Sequence, residues 1–142
     1  MEGFLGSWKL STSEGFDRIM ERLGLDYVTR KAGNVIKPVI KISVVPDSPG
    51  TYNLKTINTF RSTEVQFQLQ EPFLETTVDG RKVKTIFTLE HGETEGDWVL
   101  RQCQVGEKVT DYERRLLDKN TMKTIIRVEE LESVRIYHRQ SK

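Results

Sequence analysis

Phe73-Leu74-Glu75-Thr76-Thr77-Val78 and Arg81-Lys82-Val83-Lys84-Thr85-Ile86-Phe87-Thr88-Leu89 are two runs rich in β-branched and aromatic residues, and only Asp79-Gly80 separates them. Asp-Gly tolerates the positive φ that a tight reversal demands, so this stretch predicts a β-hairpin. The same grammar continues outward. Candidate strands run from Phe4 to Leu10, Val39 to Val45, Tyr52 to Phe60, Thr63 to Leu69, Trp98 to Val105, Val109 to Leu117, Thr121 to Arg127 and Leu131 to Arg139. Turn signals recur every eight to twelve or so positions, which is the spacing of a meandering antiparallel sheet. With the hairpin the count is about ten, and that many strands avoid exposed edges best by closing into a barrel.

Before Pro38 the period changes. Phe16, Ile19, Met20 and Leu23 fall at i, i+3, i+4 and i+7, one stripe of an amphipathic helix, with Ser13 as its expected cap, Glu14 and Asp17 in the first turn and Gly24 as its stop. Asp26 then opens a second short helix, expected to end by Gly33 and Pro38. Arg22, Arg30 and Lys31 lie off the apolar stripe, where their charges are expected to face solvent.

The 142 residues fit one domain, 1–142, and 36% hydrophobic with 30% charged residues fits a folded soluble chain. No run approaches the roughly 18 apolar residues of a spanning helix, and the N-terminus has neither the basic nor the apolar region of a signal peptide. Cys103 is the only cysteine, so an intramolecular disulfide is excluded and the cytoplasm is the expected compartment. The balance of 22 Lys+Arg against 21 Asp+Glu excludes a broad basic field for nucleic acid. Arg135, Tyr137, His138 and Arg139 could form a stacking patch, yet Glu129, Glu130 and Glu132 stand beside them, so a charged outer strand is expected and no nucleic-acid partner.

Catalytic signatures are missing. There is no nucleophile elbow, no phosphate-cradling glycine loop and no His-Glu-x-x-His, and His91 and His138 are too few for an ordinary metal cluster. No catalytic residue, metal or cofactor is therefore expected. One strand carries a different message: Trp98, Leu100, Gln102 and Gln104 share a face, and Val99, Arg101, Cys103 and Val105 share the other, so neither is simply apolar. A dry core would penalise each unpaired polar group by about 1 to 3 kcal/mol, whereas a water-containing cavity tolerates them.

Gly6-Ser7-Trp8-Lys9-Leu10 followed by Gly15-Phe16-Asp17-Arg18-Ile19-Met20 resembles the signature of the intracellular lipid-binding proteins, the fatty-acid-binding protein family. The similarity continues through Tyr27-Val28-Thr29-Arg30-Lys31, Lys37-Pro38, Leu54-Lys55-Thr56, Thr59 to Glu64, Glu75 to Lys84 and Val134-Arg135-Ile136-Tyr137, in the family's order. Against that family the stretches Val45 to Tyr52, Glu90 to Asp97 and Lys119 to Glu130 look long. The resemblance implies a mainly β fold, a ten-stranded antiparallel up-and-down β-clam with a two-helix lid. It also implies a noncatalytic, monomeric carrier of a long-chain fatty acid that touches membranes transiently through the lid. A retinoid is the alternative ligand. From other classes the rivals are a peripheral membrane protein anchored by the lid and a barrel enzyme, the latter without a reactive residue to support it.

Site residues follow from the resemblance. Arg114, Arg135 and Tyr137 are implied to bind the ligand carboxylate, and Phe16, Met20, Thr29, Pro38, Phe60, Val78 and Asp79 to form the portal and touch the tail. Period-two patterning alone opposes part of this, because Val134 and Ile136 would take the inner face and leave Arg135 and Tyr137 outside. Arg115 beside Arg114 also leaves a one-residue slip open. The chemistry suits the implied role: a guanidinium keeps its charge in poor solvent and donates two bonds to one carboxylate, and a phenol donates a third. About fourteen buried methylenes at ~0.8 kcal/mol each supply roughly 11 kcal/mol gross, before association and ordering costs, so the tail gives affinity and the head gives orientation.

Overall fold

The computed structural model describes residues 1–58 and 62–140. A 3-10 turn over Glu2–Phe4 leads into β1 (Gly6–Glu14), two helices follow, α1 (Phe16–Arg22) and α2 (Tyr27–Val35), and the rest is strand. The strands are β2 (Val39–Val44), β3 (Thr51–Ile57), β4 (Ser62–Gln68), β5 (Phe73–Thr76), β6 (Lys82–His91), β7 (Trp98–Val105), β8 (Val109–Asp118), β9 (Thr121–Val128) and β10 (Leu131–Arg139). They form one sheet in the order β4-β3-β2-β1-β10-β9-β8-β7-β6-β5. Every neighbouring pair is antiparallel, and pairing of β1 with β10 joins the two ends of the chain, so the sheet curls into a nearly closed barrel. Among the described residues no helix is long and apolar enough to cross a membrane.

The Asp79-Gly80 reversal is where the sequence puts it. Gly80 has φ 91°, and Thr77 and Arg81 close the loop with a 2.8 Å backbone bond. Asp26 caps α2 through a 2.8 Å bond accepted from the Thr29 N–H. Two helix boundaries differ from expectation. Ser13 and Glu14 do not start α1: they belong to β1, opposite Arg135 and Val134, because a whole ladder of backbone bonds to β10 outweighs one capping bond. Gly33 does not end α2, which runs on to Val35. A Cβ there would lie 2.7 Å from the Met20 sulfur, so this glycine serves the close approach of the two helices. The stretch from Lys119 to Glu130, which looks long in sequence, is β9 with a tight two-residue turn at each end.

Apolar packing occupies two regions. Phe4, Trp8, Ile42, Phe67, Phe87 and Met122 belong to the larger cluster, where the Trp8 indole donates to the Phe4 carbonyl at 2.9 Å. Arg139 lies over the Trp8 ring and donates to the carbonyls of Gly3, Leu5 and Lys119, tying the N-terminal turn to β10. The smaller cluster, Ile19 with Ile126 and Val128, seats α1 on β9.

On the outer face of β8, Glu113 accepts from Arg127 at 3.1 Å and from Arg101 and Arg115 at 3.4 Å each. Burial works against its charge, but the hydrogen bond and charge of Arg127, with Arg101 and Arg115, outweigh it and hold the carboxyl below its usual range. A carboxyl lowered on folding stabilises above its unfolded pKa of about 4.3, and that stability is lost as pH falls through the lower folded value. Chemical denaturation from pH 7 to pH 3 should therefore show Glu113→Gln less stable than wild type at neutrality, with the gap closing below about pH 4. A gap independent of pH would assign the loss to packing.

Gly15 links β1 to α1 at φ 76°, and a Cβ added there would stand 2.7 Å from the Glu132 carbonyl oxygen. Gly15→Ala should lower stability by about 1 to 3 kcal/mol in urea unfolding, through both backbone strain and this contact. Wild-type stability in the variant would mean that the β1–α1 corner relaxes freely.

Candidate functional site

A cavity of about 520 Å³ lies between the two helices and the inner faces of both halves of the sheet. That size is within the usual range of small-molecule sites. Its lining brings together Arg114, Arg135 and Tyr137 with Phe16, Met20, Thr29, Pro38, Val78 and Asp79. Phe60 lies outside the described residues.

The inward sense of β10 reverses the period-two expectation. Ser133, Arg135 and Tyr137 are buried while Val134 and Ile136 are only half-buried, with Arg135 at 5% and Tyr137 at 4% exposure. The reason lies in the closure: β10 is a central strand of the sheet, and its face toward the barrel interior meets a polar cavity rather than a dry core. On β8 the inward residue is Arg114, 3% exposed, whereas Arg115 turns outward and pairs with Asp97 at 2.8 Å.

Arg114 and Arg135 stand in one row across three strands, both opposite Thr124 of β9. The guanidinium of Arg135 donates to Ser13 at 3.0 Å and, through Nε, to the Tyr137 hydroxyl at 3.5 Å, and it stacks 4.0 Å from the centroid of the Phe16 ring. Phe16 thus touches the interior cation from the lid. Arg114 lies 5.0 Å from the Tyr112 ring centroid, and its Nε and Nη1 are buried without a hydrogen-bond partner, as is the hydroxyl of Thr124. Burial disfavours the charge of Arg114 and lowers its pKa, with Tyr112, Tyr137 and Glu75 opposing the shift. Burial likewise pushes the Tyr112 hydroxyl up. A cation this enclosed thus retains unused donors.

At the hairpin, Asp79 accepts from Arg81 at 2.6 Å and from Thr77 at 2.7 Å. Burial opposes its charge, yet these bonds hold its pKa low. Sequence reading missed Arg81, Tyr112 and Glu75, all of which line the cavity. Period two puts Glu75 on one face with Phe73 and Thr77, which the sequence shows, and the burial of Thr77 shows that this face is the inner one. Its Oε1 accepts from Thr85 at 2.6 Å, Gln104 at 3.3 Å and Gln102 at 3.5 Å, which explains why the two glutamines face inward on β7.

Of the three lid cations placed off the apolar stripe, Arg22 and Arg30 are held in ion pairs. Arg22 pairs with Glu129 and Glu130, and Arg30 pairs with Asp17 at 3.3 Å and Glu21 at 3.7 Å. The acids i−13 and i−9 from Arg30 reach it because α1 and α2 pack side by side. Lys31 has no carboxylate partner among the described residues and lies 5.6 Å from the Tyr27 ring centroid. Tyr27 and Val28 are exposed, Val28 at 76%, although Val28 also borders the cavity. Cys103 is half-buried on the outer side of β7, and burial pushes its thiol up. Among the described residues no group of three or more His, Cys, Asp and Glu is placed to hold a metal ion.

A two-helix, antiparallel barrel around an interior cavity, with buried polar groups aimed inward, defines a small-ligand-binding β-barrel protein. The chain belongs to the Lipocalin / cytosolic fatty-acid binding protein family, whose model matches residues 5–140. It is 45% identical over 139 residues to fatty acid-binding protein homolog 2 of Echinococcus granulosus, covering 98% of each chain. The crystal structure of fatty-acid-binding protein 1 of that organism superposes with a TM-score of 0.89 at 42% identity, over 99% of this chain and 100% of the other. The Schistosoma mansoni fatty acid binding protein in complex with arachidonic acid gives a TM-score of 0.87 at 34% identity, over 99% and 98% of the two chains.

Proposed function

We propose that this protein is a noncatalytic, single-domain, monomeric carrier of a long-chain fatty acid, working in the cytoplasm and meeting membranes transiently through its lid. The observation that carries the reading is the unused hydrogen-bonding capacity of the buried Arg114, in one row with Arg135. A carboxylate accepts charge-assisted bonds from Arg114 and Arg135, with the Tyr137 hydroxyl as a third donor, and so relieves both the desolvation of Arg114 and the repulsion between two cations. The acyl tail then runs along the apolar wall formed by Phe16, Met20, Pro38 and their neighbours, each buried methylene contributing ~0.8 kcal/mol. Thr29, Val78 and Asp79 border the way out between α2 and the β5–β6 hairpin. The relative that holds arachidonic acid supports the same class of ligand.

Titration calorimetry of delipidated protein with oleate should show saturable binding near one per chain. Arg114→Gln, Arg135→Gln and Tyr137→Phe should each weaken oleate by about 1 to 3 kcal/mol more than they weaken oleyl alcohol, since only the acid gains charge-assisted bonds. Arg115→Gln, on the outer face, should treat the two alike. Equal losses for acid and alcohol in the first three variants would place the carboxylate elsewhere in the cavity.

Lid contact with a bilayer is supported by the exposed Tyr27 and Val28 beside Lys31. One lysine near an anionic surface is worth roughly 1 kcal/mol, enough to orient a collision. Transfer of a fluorescent fatty acid to vesicles should accelerate with anionic lipid in the wild type, and Lys31→Glu should abolish that acceleration. Rates indifferent to vesicle composition and concentration would mean that the ligand leaves through water.

A further inference from the structure

The cavity has a second polar cluster whose needs are opposite to those of Arg114. Gln104, 3% exposed, and the fully buried Thr110 sit directly opposite each other on β7 and β8, and both line the cavity. The Oε1 of Gln104 and the hydroxyl of Thr110 are buried without a hydrogen-bond partner. Glu75 adjoins them through its bond from the Gln104 amide. Around Arg114 donors are left over. Here an acceptor is left over, together with one hydroxyl that can do either.

We propose that Glu75, Gln104 and Thr110 form a second recognition station that takes a hydroxyl group carried in mid-chain by a long acyl ligand. The proposal rests on the carboxylate reading above, which sets the direction of the ligand. A hydroxyl is the group that fits. It donates to the carboxylate of Glu75 or the carbonyl of Gln104 and accepts from the Thr110 hydroxyl. A ketone only accepts: it could take the Thr110 hydroxyl, but it would set its own oxygen against the Glu75 carboxylate and the Gln104 carbonyl with no proton to offer either. An ammonium only donates, and would share the cavity with Arg81 and Arg114. Position follows from strand geometry: Thr110 precedes Arg114 by four residues on β8, so at roughly 3.3 Å per residue the Thr110 end of the station lies on the order of 13 Å along the strand from the carboxylate end, with Glu75, which also accepts from Gln102 opposite Tyr112, between the two. A hydroxyl beside the carboxylate cannot reach it.

The test is a ligand series measured by calorimetry on the delipidated full chain: stearate, 2-hydroxystearate, 12-hydroxystearate and 12-oxostearate. The expected result is that 12-hydroxystearate binds about three- to tenfold tighter than stearate, the gain of one net hydrogen bond. The 2-hydroxy and 12-oxo acids should bind no tighter than stearate. Thr110→Val and Glu75→Gln are read through the ratio of the stearate and 12-hydroxystearate dissociation constants, so that any general loss of affinity or stability cancels. That ratio should fall toward one or below it in both variants. Tight stearate binding with no preference for the 12-hydroxyl, or a preference that survives both substitutions, overturns the station alone. Failure of folded, delipidated protein to bind stearate at all overturns the carrier reading and the station with it.

Discussion

A guanidinium held at 3% exposure with two of its nitrogens unbonded is the constraint around which the interior is arranged. Leaving a charge in an apolar core costs several kcal/mol, so the barrel cannot be filled with hydrocarbon as a small barrel normally is. Tyr112, Tyr137 and Glu75 answer that charge through space, and Thr124 separates Arg114 from Arg135 in the same row. Among the described residues, the buried apolar clusters gather around Trp8 and Phe87 and at the seat of α1. The cavity is what remains between them.

The same arrangement gives the cavity a direction. One region offers donors from Arg114, and another offers acceptors from Glu75 and Gln104, while Met20, Pro38 and Phe16 supply apolar wall. Dispersion and hydrophobic burial along such a wall are indifferent to which end of a ligand enters first, whereas charge-assisted bonds are not. The lid shares in this asymmetry. Phe16 stacks on Arg135, and Arg22 joins the end of α1 to Glu129 and Glu130 at the β9–β10 turn, so α1 is held at both its ends to the strand pair that carries the interior arginine.

What the sequence determined by itself is local in origin. Asp79-Gly80 specifies a reversal because Gly80 accepts a φ of 91° that other residues resist, and Asp26 specifies the start of α2 because its carboxylate reaches the Thr29 N–H three residues on. Strand after strand is legible between turn residues, and so the order of two helices and a long antiparallel meander is legible too. Period two also tells which residues share a face, as with Arg135 and Tyr137. It does not tell which face is inside.

That choice belongs to the tertiary structure, for a physical reason. Alternation assigns apolar residues inward only where the interior is apolar, and here Gln102, Gln104, Arg114 and Arg135 face inward because a cavity, not a packed core, receives them. The extension of β1 through Ser13 and Glu14 depends on β10, more than a hundred residues later in the chain. Packing of α1 against α2 decides that Arg30 is tied up by Asp17 and Glu21, and strand pairing from β5 to β8 decides that Glu75, Gln104 and Thr110 converge on one wall. Spacing along the chain carries no record of such meetings, since they are set by register between strands and by packing between helices.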